Sequence, residues 1–204
     1  MTINSYIPEC FASNLDQFLA LENLKSSLFG QLITCVGPGE AYISYAPIQI
    51  YDKKFIFHLA AGNPHCDFIV QHETSFIAMG THGYISPSWY VNNSVPTWNY
   101  SLCILNGSAT EIHSKDKAIK SLTDITEFFE AQHEASWKIE SLGEDRINNA
   151  LNRLRFFEVS IESVQCKSKM SQNKSTEDID AVLKNLERLN CIDLAQCIKE
   201  EKNE

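Results

Sequence analysis

No run of about 18 consecutive apolar residues occurs in the chain, so no membrane-spanning helix is expected. Basic residues are scarce: 17 Lys and Arg stand against 26 Asp and Glu, a net charge of −9. Affinity for nucleic acid comes chiefly from Lys and Arg neutralising phosphates, so direct nucleic-acid binding is not expected. The two small basic clusters, NRLRF (Arg153, Arg155) and KSKMSQNK (Lys167, Lys169, Lys174), do not change that expectation. There is no Walker-type phosphate loop, no Gly-x-Gly-x-x-Gly, no Gly-x-Ser-x-Gly and no His-Glu-x-x-His. P-loop hydrolysis, Rossmann binding, α/β-hydrolase chemistry and zincin chemistry therefore lose their sequence basis. The seven cysteines are odd in number, scattered, and form no Cys-x-x-Cys pair. They read as reduced, mostly buried small hydrophobes. The opening MTINSYIPECF has no basic segment leading into an apolar core, so an export signal is not expected and the cytoplasm is the expected compartment.

What is present describes an α+β chain. At 204 residues, with 44% hydrophobic and 21% charged residues, it can bury a substantial core as one domain. Leu15, Phe18, Leu19 and Leu24 fall near one helical face after Ser13 or Asn14 as N-cap, with Gly30 as the expected terminator. The period then changes. QLITCV and AYISYAPIQIY flank the turn GPGE, and FIFHLA, TSFIAMG and NYSLCILNGSATEIH continue as strands joined by short turns. That spacing favours an antiparallel sheet or barrel over βαβ units. Ala118, Ile119, Leu122, Ile125, Thr126 and Phe129 mark a helix capped by Ser114. GEDRINNALNRL is a shorter helix candidate and RFFEVSIESVQ a late strand. STEDIDAVLKNLERL opens on a Ser-x-x-Asp capping pattern, with Ile179, Val182, Leu183 and Leu186 on one face. One domain over 1–204 is expected, with 175–204 a C-terminal helical extension.

Four stretches carry candidate chemistry. His58, His65 and His72 recur every seven residues, but the segment passes from strand to loop, so no shared face and no metal site follows. His65 and His72 read as ordinary core or surface histidines, whereas His58 sits in an apolar strand ahead of a turn. In AGNPH, Asn63 suits an N-cap and Pro64 a first helical turn, and free N–H groups at such a start favour an anion. The stretch YISPSWYVNNSVPTWNY holds two Trp, three Tyr and two Pro, interleaved with Ser86, Ser88, Asn92, Asn93, Ser94, Thr97 and Asn99. It suits a core filler, a wall for a flat ring, or a dimer interface. KSKMSQNK, with Lys169, Ser171, Gln172 and Asn173, reads by composition as a solvated loop and functionally as the lining of a polar ligand site. No nucleophile is marked by its local sequence, and no catalytic residue is assigned.

In this order, YIP, FHLAAGNP, GYISPSWY with VPTWNY, and KSKMSQNK resemble the blocks of the PaiB family, FMN-binding negative transcriptional regulators of the flavin-binding split-barrel class. The resemblance spans nearly the whole chain. It implies a six-stranded antiparallel split β-barrel with peripheral helices and a C-terminal helical segment, acting as a homodimer with FMN at the subunit interface. It implies that His58, Asn63 and Pro64 lie toward the phosphate and ribityl chain. Ser86, Ser88, Trp89, Trp98 and Asn99 would form the aromatic wall, and Lys169, Ser171 and Gln172 would close the site. Two positions depart from the family pattern: Ala61 stands where a basic residue is common, and Tyr45 where a His is common. The family's function is regulatory. With a charge of −9, any such effect is expected to be indirect. The alternatives are a flavin-dependent oxidoreductase of the pyridoxamine-phosphate-oxidase-like split-barrel class, or flavin or heme binding without turnover.

Overall fold

Leu28, Gly30, Leu32 and Thr34 point inward on one strand and Ser44, Ala46, Ile48 and Ile50 on the next, each with outward residues between them. A period of two is what a strand with one buried face requires. The computed structural model describes residues 2–22, 27–92, 94–133 and 137–203. In chain order its elements are β1 (Ala12–Ser13), α1 (Leu15–Leu21), β2 (Ser27–Gly37), β3 (Glu40–Tyr51), β4 (Lys54–Ala60), α2 (Cys66–Ile69) and β5 (Thr74–Ile85). There follow β6 (Thr97–Ile112), α3 (Lys115–Gln132), α4 (Glu144–Leu151), β7 (Leu154–Lys169), α5 (Thr176–Arg188) and α6 (Ile192–Asn203).

The strands pair in the order β1-β7-β4-β3-β2-β5-β6, and β6 also pairs with β7. Strands β2 to β7 therefore close a ring of pairings, the expected split barrel. The strand count is seven instead of six, because the two-residue β1 adds to β7 through Ala12↔Lys167 and Ser13↔Cys166. So short a strand has no alternating pattern to announce it. The registers of β1–β7, β2–β3, β2–β5, β3–β4 and β4–β7 are antiparallel.

Contacts divide the chain into two compact units. The first comprises Met1–Ile3, Ser26–Ala78 and Leu105–Ser163. Its core holds Phe55, Phe57, Phe76 and Phe157, with ring centroids 5.3–6.1 Å apart in the pairs they form. A smaller cluster of Ala118, Leu122, Ile139 and Phe156 seats α3 and α4. Gly30 belongs here, inside β2, and does not end the first helix. A Cβ at that position would collide with the carbonyl oxygen of Ile77 on β5, so the strands approach only over a glycine. Helix α1 already stops at Leu21, and Leu24 lies outside the described residues.

The second unit comprises Asn4–Lys25, Met79–Ile104 and Val164–Glu204. Helix α1 begins on a capping box in which Asn14 and Gln17 bond reciprocally. Ile179, Val182, Leu183 and Leu186 of α5 bury against Leu194, Ala195, Cys197 and Ile198 of α6, together with Ile85, Tyr90 and Met170. The four α5 positions are those that the helical period singled out.

Candidate functional site

In the second unit, β7 ends at Lys169 and the chain turns through Met170, Ser171 and Gln172. Ser171 has φ of 68°, a backbone region that residues with a Cβ rarely adopt. Met170 is buried in the α5–α6 core and anchors that turn. Lys169 donates its ammonium to the Thr97 hydroxyl, and the Asn99 amide nitrogen donates to Ser171 Oγ over 2.8 Å. Thr97 and Asn99 stand on β6, so the strand and the turn meet through side chains. Asn99 is fully buried, yet its Oδ1 has no partner, and the buried hydroxyl of Tyr90 has none either. Burial raises the Tyr90 pKa, and nearby Ser171 offsets part of that rise. A buried acceptor and a buried hydroxyl left open are unusual in a folded chain.

The aromatic stretch divides. Pro87–Trp89 form a 3₁₀ turn led by Ser86, whose hydroxyl accepts from Ser88 N and bonds Ser88 Oγ at 2.8 Å. Trp89 is partly buried against the α5–α6 core. Trp98 is 53% exposed and stands by His82 and Tyr84, at centroid distances of 6.4 and 6.2 Å. Thus Trp89 is partly a core residue and Trp98 a surface one. Asn93 lies outside the described residues.

Gln172 is occupied within its own turn. Its Oε1 accepts from Met170 N at 2.7 Å, while its Nε2 donates to Ser168 O at 2.7 Å and to Glu201 Oε1 at 3.0 Å. Asp178 and Glu201 were not singled out in the sequence for any contact with these segments. In the sequence, Asp178 belongs to a helix-cap pattern. Ser175 does cap α5, accepting from Asp178 N. The buried Asp178 carboxylate instead accepts from the backbone N–H groups of Val91 and Asn92 and from Asn92 Nδ2. Those bonds, that from the Asn92 backbone first, hold its pKa below the ordinary value. The available signal was an acid among apolar helix positions.

In the first unit the turn after β4 is differently built. Asn63 Nδ2 donates to Ser44 Oγ at 3.0 Å, and its Oδ1 accepts from His65 N at 3.0 Å. Asn63 thus opens the turn as an N-cap would, but α2 itself starts at Cys66 and is four residues long. Pro64 lies inside the turn, with Asp67 N bonding to its carbonyl. The His65 ring bridges Ser44 Oγ at 2.9 Å and Thr34 Oγ1 at 2.8 Å, and Thr34 meets Thr74 at 2.9 Å. Burial pulls the His65 pKa down to about 4, so the ring is neutral. His65 is a core histidine. His58 is half-buried with its ring 5.3 Å from that of Phe156, and its Nδ1 has no partner; burial lowers its pKa. Ala61 is exposed in the turn. Tyr45 is 62% exposed on β3, stacked on Phe29, and its hydroxyl accepts from Gln31.

A cleft of about 610 Å³ in the second unit is lined by Glu22, Thr81, His82, Asn190 and Asp193 among others, and includes none of the predicted site residues. The Glu22 carboxylate is filled by Thr81 N, Thr81 Oγ1 and Ser101 Oγ. Among the described residues, no group of three His, Cys, Asp or Glu side chains is placed to hold a metal.

Comparison with known proteins agrees with the resemblance. Residues 5–163 match the family described as "Putative FMN-binding domain". The protease synthase and sporulation protein PAI 2 of Bacillus subtilis (strain 168) is 27% identical over 188 residues, 89% of each chain. The flavocytochrome Anf3 from Azotobacter vinelandii shares the fold, with a TM-score of 0.56 at 11% identity, covering 78% of this chain and 69% of that one. So does the FAD and heme binding protein from Mycobacterium smegmatis, with a TM-score of 0.56 at 13% identity, covering 83% and 79%. On the sequence blocks, the ring of strands and the extent of the match, the chain belongs to the FMN-binding domain family and is a homologue of PAI 2.

Proposed function

We propose that this protein holds FMN against the strand-and-turn cluster of its second unit, as a homodimer in the cytoplasm, and that any regulatory effect is indirect. The supporting observation is the open Asn99 Oδ1 and Tyr90 hydroxyl beside Ser171, with the Lys169 ammonium two residues away along the chain. These groups fit an isoalloxazine edge, which offers an N–H to an acceptor and carbonyl oxygens to a cation or a hydroxyl donor. Trp98, exposed beside Tyr84 and His82, fits a flat partner. When bound, FMN supplies reversible electron transfer, while the chain supplies binding and orientation.

The predicted residues take unequal parts in this reading. Lys169, Ser171 and Asn99 are direct contacts, and Trp98, on the other face of β6, is a contact across the dimer. Gln172, Ser86 and Ser88 shape the turns that carry those contacts, since their polar atoms already bond locally. Trp89 acts from the core side. In the first unit, His58 keeps an open Nδ1, and Asn63 and Pro64 act by shaping their own turn.

The dimer reading draws on the outward face of β2 and β3. Phe29, Ile43 and Tyr45 are 62%, 58% and 62% exposed there, with Gln31 opposite Tyr45 and Phe29 opposite Pro47. Apolar residues gathered on an outward sheet face mark an association surface, and a second copy is the occupant that the resemblance implies. Direct operator reading is not proposed, because a net charge of −9 opposes it. The test is an absorbance spectrum of the purified protein followed by titration with FMN and sedimentation. Saturable uptake of one FMN per chain in a dimer is the expected result. A protein that takes up no added FMN overturns the binding claim, and a monomer at all concentrations overturns the dimer.

A further inference from the structure

Both segments that carry the proposed FMN contacts are pinned by carboxylates of the last two helices. Asp178 on α5 receives the Val91 and Asn92 amides, fixing the end of the Ser86–Tyr90 segment. Glu201 on α6 receives Ser168 Oγ at 2.7 Å on one oxygen and Gln172 Nε2 at 3.0 Å on the other. Gln172 in turn holds Met170 N and Ser168 O, so one carboxylate closes a ring of bonds around the turn that keeps Ser171 at φ of 68°. The two helices form a stiff platform. Their apolar faces bury against each other, and Lys199–Glu187 and Lys202–Asp180 pairs at 2.7 and 2.6 Å tie them on the outside. All of these groups lie beyond residues 5–163, the part that the family model matches, except the Val91–Asn92 amides they hold.

From this arrangement we infer that α5 and α6 are a two-point clamp on the ligand site, with Glu201 and Asp178 as positioning residues that touch no ligand. The inference rests on the FMN reading for its effect on binding, and on geometry alone for the clamp. A strained Ser171 backbone persists only where its surroundings over-determine it. Releasing Glu201 frees Ser168 and Gln172 together. Ser171, Asn99 and Lys169 then lose the one geometry in which they converge, and ordering them falls to the ligand.

The test compares Glu201→Ala, Glu201→Gln, Ser168→Ala and the exposed control Glu200→Ala by amide exchange at Met170 and by FMN titration. Glu201→Ala should speed Met170 exchange and weaken FMN about tenfold, within the usual range of coupling between sites. Ser168→Ala should have a smaller effect in the same direction. Glu201→Gln keeps an acceptor for Gln172 and a donor for Ser168 Oγ, so it should restore most of the affinity and the wild-type flavin spectrum. Glu200→Ala should match wild type. Unchanged Met170 exchange in both Glu201→Ala and Ser168→Ala overturns the clamp. Faster exchange with unchanged FMN affinity overturns its coupling to the site. If the wild-type chain takes up no FMN, the FMN reading and the coupling fall together, and the exchange arm still decides the clamp.

Discussion

The two units each contain a buried polar cluster on which a turn depends, and the clusters differ in whether they are complete. Around His65 each polar side-chain atom has a partner: Asn63, Ser44, Thr34 and Thr74 close the network within the first unit. Around Ser171, Asn99 Oδ1 and the Tyr90 hydroxyl stay open although both residues are buried. A closed network specifies a fold, since each member costs stability when its partner is removed. An open one retains unmet bonding capacity, and capacity of that kind belongs to a site that bonds something else. A histidine in a promising motif is therefore structural here, while an asparagine in an aromatic stretch carries the binding claim.

The largest effect is expected from removing the centre of the closed network. His65→Ala should destabilise the fold by about 2–4 kcal/mol, since it takes one bond each from Ser44 and Thr34 and opens a cavity beside Tyr42. FMN affinity of the folded fraction should hardly change. Urea unfolding with and without FMN measures both; a large loss of affinity at full stability would place His65 in the ligand site.

The pH dependence follows from the same ring. Its folded pKa, about 4, lies below the unfolded value near 6.5, so between these the unfolded chain binds the extra proton. Stability is therefore full above about pH 6.5 and falls as pH drops toward 4, by about 1–3 kcal/mol from this group. His65→Phe should flatten that part of the profile. An equal slope in the variant would assign it to other groups.

At the open cluster the expected effects shift from stability to binding. Lys169→Met should weaken FMN about 10- to 100-fold, the range for a charge-assisted bond, with little change in the urea midpoint. Asn99→Leu is the finer probe. It removes an unpartnered acceptor along with the bond to Ser171, so stability should move by less than about 1 kcal/mol while FMN binding weakens. A strong destabilisation by Asn99→Leu would mean that the cluster is closed after all.

The sequence made the barrel legible because alternation and turn chemistry are local. Leu32, Ala46, Ile48 and Ile50 follow the period, and Ser114 and Ser175 cap their helices where expected. Gly30 looks like a helix end in the sequence because its reason, a carbonyl on another strand at Ile77, is not local. The candidate residues were legible only as blocks of a family pattern. Their division into contacts and supports was not, since Gln172 looks like Ser171 until Glu201, 29 residues on, is seen to hold it. Asp178 reads as a helix cap for the same reason: Val91 and Asn92 are more than 80 residues away in the chain.

The most direct test of FMN binding at Asn99 is an FMN titration followed by NMR at the side-chain amide of Asn99, assigned with Asn99→Leu, alongside flavin fluorescence. The Asn99 signal should shift and saturate with the same midpoint as the fluorescence. Fluorescence that saturates while Asn99 stays still, or no saturation in either signal, would contradict it.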